Sequence, residues 1–336
     1  GGLRPGDIVL TLNGITILNA ETLRERVADQ PPGSQVQVEF WRFIADGRDF
    51  IDALRAKANE GNPSIMAMLG SMYATGRGVT RDDVQAADWY RRSAEGGHAV
   101  AMVEIAQFLL SGRGGRSDST EAMQWLRRAS DTGSAYGMWR YAYELRAGRY
   151  LTKDVSEAFR LFQRAAESGQ VMAMYDLAVM HSDALGTPRN YGEAVRWYQK
   201  AVDNNYAAAM VNLGLLYDEG KGVPKSDVKA TELYRRAAQL GHVIGMHNWG
   251  VMLDNGRGVP RKDPVQAADL IFAALERGGE FTYRQMTQNH QAYSQEFRMA
   301  LQSKLKEQGY YTGPIDGAFG QSSQAAITAF FNRNKR

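Results

Sequence analysis

The sequence predicts a mainly α-helical protein whose body, residues 54–279, is an α-solenoid of six helix-pair repeats. Three observations predict it. Methionine recurs every 36 residues, at Met66, Met102, Met138, Met174, Met210 and Met246. Three residues after each stands a large side chain (Leu69, Ile105, Tyr141, Leu177, Leu213, Trp249), followed at once by a small one (Gly70, Ala106, Ala142, Ala178, Gly214, Gly250). A second series keeps the same phase, pairing Ala86 with Trp89, Ala122 with Trp125, Ala158 with Leu161, Ala194 with Trp197 and Ala230 with Leu233. In the sixth repeat one inserted residue moves the pair to Ala267 and Leu270. Large and small side chains recurring in phase at this period are the signature of stacked repeats.

The helix boundaries follow from capping chemistry. Asp82, Asp118, Asp154, Asn190, Ser226 and Asp263 occupy one equivalent position, and each can accept an otherwise unpaired backbone N–H at a helix start. Three residues on stand Gln85, Glu121, Glu157, Glu193, Lys229 and Gln266, so that all but the Lys229 repeat can close a capping box. The first helix of a repeat ends in loops such as Gly76-Arg-Gly-Val79, Gly220-Lys-Gly-Val223 and Gly256-Arg-Gly-Val259, where glycine accepts the left-handed conformation that stops a helix. The second helix ends near Gly97, Gly133, Gly169, Gly241 and Gly278. The third repeat departs most, with Tyr150-Leu151 in place of Gly-Val, and the fourth has Ala184 and Thr187 in its loop. One helix pair cannot bury its apolar face alone, whereas stacked pairs share a core and present an extended binding face. Burying each Met, Leu or Trp contributes roughly 1.5–3 kcal/mol before chain entropy is counted.

Composition narrows the function. The 336 residues exceed what one core supports, so two or three domains are expected. A net charge of +3 gives no argument for nucleic acid. With no cysteine there is no disulfide, thiolate metal site or cysteine nucleophile, and no apolar run reaches the length of a membrane span. His98 and His242 fill one repeat slot, taken elsewhere by Ser134, Gln170 and Tyr206, and His181 fills the slot of Tyr73 and Tyr217, so these are structural positions. His247 and His290 lack the spacing of a metal motif, and no nucleophile elbow occurs. The Gly-Arg-Gly loops follow helices instead of strands and recur as caps, so they do not read as phosphate loops. No catalytic residue, metal or cofactor is expected in this chain.

Segments such as Ala209-Met-Val-Asn-Leu-Gly-Leu-Leu-Tyr-Asp-Glu-Gly-Lys-Gly-Val223, followed by Ala230-Thr-Glu-Leu-Tyr-Arg-Arg-Ala-Ala238, resemble Sel-one-like repeats, short relatives of tetratricopeptide repeats. The resemblance covers about two-thirds of the chain and implies a scaffold that binds a protein partner. The positions two past each marker methionine, Glu104, Arg140, Asp176, Asn212 and Asn248, vary in chemistry while their neighbours do not. They are candidate recognition residues, or else plain solvated positions.

The two ends read differently. Residues 1–46 contain Leu3-Arg-Pro-Gly-Asp-Ile-Val-Leu-Thr-Leu-Asn-Gly14, a turn, strand and turn; a short amphipathic helix from Asn19 to Asp29; and an alternating strand, Gln35 to Trp41. This resembles the C-terminal part of a PDZ domain of bacterial envelope proteases, an incomplete α/β piece. The family's peptide groove would involve Leu23 and Val27, which fit equally well as core. Residues 280–293 read as a linker or irregular helix, and residues 294–336 as a small helical domain. Phe297-Arg-Met-Ala-Leu-Gln-Ser-Lys-Leu305, Gly309-Tyr-Tyr-Thr-Gly-Pro-Ile-Asp-Gly-Ala-Phe-Gly320 and Ala325-Ala-Ile-Thr-Ala-Phe330 resemble the peptidoglycan-binding domain of cell-wall enzymes. The resemblance makes peptidoglycan the partner and Tyr310, Tyr311, Asp316 and Phe319 candidate contacts, a tyrosine stacking on sugar rings. Ile315, Phe319, Ile327 and Phe330 otherwise read as core.

Together the three resemblances imply a non-catalytic scaffold in the periplasm or cell envelope of a Gram-negative bacterium. The alternative is the regulatory tail of a larger periplasmic protease, trypsin-like or caspase-like, with its catalytic domain upstream of residue 1. Because the chain begins at Gly1 without a signal peptide, it reads as a processed piece or fragment.

Overall fold

The computed structural model describes residues 8–12, 15–16, 38–41 and 47–333, with side chains described from Phe50 onward. The strands β1 (Ile8–Leu12), β2 (Ile15–Thr16) and β3 (Val38–Trp41) form one antiparallel sheet in the order β2-β1-β3. Three short strands do not by themselves make a PDZ domain, and Leu23 and Val27 lie outside the described residues. From Gly47 on, the elements of the described residues are all helices, and the chain divides into two compact units, Gly1–Leu161 and Phe162–Arg336.

Each repeat is a pair of 13-residue helices. The first helices are α2 (Pro63–Thr75), α4 (Ala99–Ser111), α6 (Ala135–Ala147), α8 (Val171–Asp183), α10 (Ala207–Glu219) and α12 (Val243–Asn255). The second helices are α3 (Asp83–Glu95), α5 (Ser119–Asp131), α7 (Val155–Glu167), α9 (Tyr191–Asp203), α11 (Asp227–Gln239) and α13 (Pro264–Glu276). The expected caps are present. Asp82, Asp118, Asn190, Ser226 and Asp263 each accept a backbone N–H through the side chain, and Asp154 does the same for the amide of Glu157. The first helices also have a capping slot. Asn62, His98, Ser134 and His242 accept from the helix start, whereas Gln170 and Tyr206 make no such bond. The repeated histidines are therefore caps, each using a neutral Nδ1.

The small residue of each first helix has a specific opposite number. A Cβ on Gly70 would meet the Tyr90 ring at 2.7 Å, and one on Gly214 the Tyr234 ring at 2.6 Å. In those repeats the glycine accommodates an aromatic ring of its own repeat's second helix, and not a neighbouring backbone. The loop glycine does approach backbone: a Cβ on Gly114 would lie 2.9 Å from the carbonyl oxygen of Asp83 in the preceding repeat.

Loop arginines lock repeats together. Arg113 of the second repeat donates to both carboxylate oxygens of Asp83 in the first, at 2.6 and 3.0 Å, and holds that carboxyl well below its usual range. Arg257 of the sixth repeat does the same to Asp227 of the fifth, at 2.7 and 3.1 Å. Both are forked arginine–carboxylate contacts.

The solenoid extends beyond the six repeats. Helix α1 (Gly47–Asn59) lies 36 residues before α3 and is the second helix of a preceding half-repeat, with Leu54 and Ala58 buried in the core of the first repeat. At the other end, residues 280–293 form helix α14 (Glu280–Gln288) and a 3-10 turn, His290–Ala292. Allowing for the insertion, α14 takes the place of a first helix of a seventh repeat. Of the two expectations for this stretch, linker or irregular helix, the helix is the one present, and Thr282, Met286 and Tyr293 are buried.

The C-terminal helices α15 (Gln295–Glu307) and α16 (Gln321–Arg333) complete this end. Leu253, Ile271 and Leu275 of the sixth repeat share one hydrophobic core with Met286, Tyr293, Phe297, Leu301, Leu305, Ile327 and Phe331. Phe272 stacks on Phe330 at 4.2 Å, and Tyr283 on Phe331 at 4.4 Å. Among the described residues, no helix is long and apolar enough to cross a membrane.

Candidate functional site

The C-terminal domain is organised around Gln302, which is fully buried. Its Oε1 accepts from the amides of Asp316 and Gly317, at 3.1 and 2.8 Å. Its Nε2 lies within 3.1–3.2 Å of the Ala318 carbonyl, the Asp316 carboxylate and the hydroxyls of Ser323 and Tyr311. One buried amide therefore holds the whole Ile-Asp-Gly turn. Arg298 ties the same turn to the start of the domain, donating to the carbonyls of Gly317 and Tyr293 at 2.6 Å each.

This arrangement separates the four candidate residues. Tyr311 is buried, and its hydroxyl donates to the Pro314 carbonyl at 2.8 Å. Phe319 is buried in the domain core. Neither offers a ring face to solvent. Tyr310 is half-buried, edge-on to Phe330 at 5.3 Å, and accepts a hydrogen bond from Arg333 at 2.8 Å. Asp316 is exposed; its carboxylate accepts from the Ala318 amide at 2.8 Å, and that bond lowers its pKa. Ile315, expected in the core, is 38% exposed, because the Gln302 bonds pull the Asp316 and Gly317 amides inward and turn the preceding side chain out.

The repeat positions two past the marker methionine are not freely solvated. In the first unit Glu104 is half-buried, and burial pushes its carboxyl up against the pull of Arg140 and Arg113. Arg140 pairs with Glu144 at 3.2 Å, and Glu144 is only 1% exposed. In the second unit Asp176 is buried, and Asn248 is half-buried. Asn212 donates to the hydroxyls of Tyr198 and Tyr175 at 3.0 and 3.3 Å.

The seam between the sixth repeat and the C-terminal domain is polar as well as apolar. Asp254, buried in α12, accepts from the Ser294 amide at 2.8 Å and from the Ser294 hydroxyl. His247, 3% exposed, meets the Tyr293 hydroxyl at 3.2 Å, and burial lowers its pKa to about 4.

Comparison with known proteins matches the Sel1 repeat family to six consecutive segments, residues 63–98, 99–134, 135–170, 171–206, 207–242 and 243–278. The chain belongs to the Sel1 repeat family. The peptidoglycan binding domain family matches residues 294–334. Among solved structures, this Sel1 repeat protein resembles a protective antigen of uropathogenic Escherichia coli displaying an SLR fold. The two are 23% identical with a TM-score of 0.64, the match covering 85% of this chain and 64% of that one. It also resembles a Sel1 repeat protein from Oxalobacter formigenes, 27% identical with a TM-score of 0.62, covering 68% of this chain and 97% of that one. The chain thus spans less than two-thirds of the length of the Escherichia coli protein. No protein of curated function matches the sequence.

Sequence reasoning did not single out Gln302, Glu144 or Asp254 in this Sel1 repeat chain. A buried polar residue has no local spacing signature; only the groups it meets across the fold reveal it.

Proposed function

We propose that the chain is a non-catalytic scaffold of the Gram-negative cell envelope, docking on peptidoglycan through residues 294–334 and holding a protein partner on its repeats. The observation that carries this reading is the fusion of a peptidoglycan-binding-family domain with the last Sel1 repeat through one core. A domain joined in this way holds the sixth repeat at a fixed attitude to whatever it binds. Wall contact falls on the exposed side chains of the turn, Ile315 and Asp316, with the half-buried Tyr310 as a further contact. The buried Tyr311 and Phe319 support that surface from within.

Co-sedimentation of the whole chain with purified sacculi tests the reading. The chain is expected in the pellet, and Ile315→Asp, a change at an exposed side chain, is expected to move most of it to the supernatant. A wild-type chain that stays in solution would end the docking proposal. Cutting the chain within 280–293 is not a clean control, since it would strip the shared core.

A further inference from the structure

The departure of the third repeat from the pattern has a structural counterpart. At two joints a loop arginine grips the first residue of the preceding repeat's second helix, Arg113 on Asp83 and Arg257 on Asp227. The third repeat keeps the arginine, Arg149, but the residue it would grip is Ser119, which is exposed and carries no charge. Arg149 turns instead toward its own repeat. Its guanidinium lies 5.8 Å from the Tyr143 ring centre and 5.9 Å from that of Tyr150, and it reaches Glu144 only at 3.9 Å. Its side chain is 55% exposed, and Tyr150 is 40% exposed.

The helix beside it is unlike its counterparts. On α6, Tyr136, Trp139, Arg140 and Tyr143 follow helical spacing, where the first repeat has Ser64, Ala67, Met68 and Ser71. Tyr136 stacks on Trp139 at 5.7 Å. Arg140 and Arg146 approach the Tyr143 ring to 5.3 and 5.5 Å, so three guanidiniums surround one ring. The carboxylate beneath them, Glu144, is already paired with Arg140. Tyrosine, tryptophan and arginine are the residues that dominate binding energy at protein interfaces.

We propose that this face of the third repeat docks an acidic peptide segment of a protein partner. A partner carboxylate would take, at Arg149, the place that Asp83 and Asp227 take at Arg113 and Arg257. A guanidinium presents a planar fork matched to a carboxylate, and the surrounding rings offer surface to the flanking residues. The inference rests on the reading of the repeats as a protein-binding scaffold and names the chemistry of what they hold.

Fluorescence anisotropy with the full chain tests it. The probes are an end-blocked, labelled peptide, Tyr-Glu-Glu-Tyr-Glu, its glutamine counterpart, and a short oligothymidylate. The glutamate peptide is expected to bind about tenfold more tightly than the glutamine one, the scale of a charge-assisted pair. Arg149→Gln is expected to weaken binding about tenfold. Ser119→Asp is expected to do the same while leaving the fold intact, because it returns to Arg149 the internal carboxylate found at the other joints. No binding of the glutamate peptide, equal binding of both peptides, or indifference to both substitutions would overturn the proposal, as would a preference for the oligonucleotide. Sacculus co-sedimentation of the same variants should match wild type, so failure here and failure of the wall-docking reading are read separately.

Discussion

Ala184 closes the first helix of the fourth repeat at φ 60°, in the left-handed region, where five other repeats have glycine. A side chain there costs roughly 1 kcal/mol relative to glycine. Ala184→Gly is expected to raise stability by about that amount in urea unfolding, since the site is exposed and no packing is lost. Gly214 tests the opposite case. A methyl group there would lie 2.6 Å from the Tyr234 ring, itself 2% exposed, so Gly214→Ala is expected to destabilise by about 1–3 kcal/mol despite alanine's better helix propensity. These sites differ in how much of them was legible. The glycine stop and the Asp82-type caps are local chemistry, and spacing alone reveals them. That Gly214 faces a tyrosine ring depends on how two helices cross, so the sequence showed only that the residue is small. Arg149 is the extreme case. Its identity fits the repeat pattern, but the residue in register with it, Ser119, lies thirty residues earlier in the chain and carries no carboxylate.

At the level of elements, histidine burial couples stability to pH. His98 and His242 cap their helices through Nδ1, and burial lowers the pKa of both. His247 is lowered furthest, from 6.5 to about 4. A histidine whose folded pKa lies below its unfolded value favours the folded state while neutral. The protein should therefore keep its stability above pH 6.5 and lose it as pH falls toward 4, with His247 contributing about 3 kcal/mol. Chemical denaturation across this range checks the sign. His247→Phe should flatten part of the acid limb, while lowering stability near pH 7 because the buried Tyr293 hydroxyl loses its partner. The half-repeats at the two ends show why some elements escaped the sequence reading. Helix α1 keeps Ala58 in the slot of Ala94 and Gly61 in that of Gly97, yet it has Phe50 and Ala53 where the marker series has Ala86 and Trp89. Helix α14 is displaced by the inserted residue and lacks the marker methionine, Tyr283 standing in that slot. Both are held by packing more than by pattern.

At the level of the whole molecule, a family of repeats and a family of wall-binding domains meet in one chain, and the second unit shows how. The sixth repeat, α14 and the C-terminal helices share a core, and Asp254 and His247 tie their polar groups across the seam. The C-terminal domain is built as the end of the solenoid and not hung from it by a linker. Cooperative units share a common opening free energy in native-state hydrogen exchange. Amide exchange of the intact chain measures this most directly. Residues 295–307 and 321–333 are predicted to exchange at the same rate as 243–255 and 264–276, with Asp254→Ala speeding both groups together. Fast, independent exchange of 295–333 beside protected repeats would contradict the account.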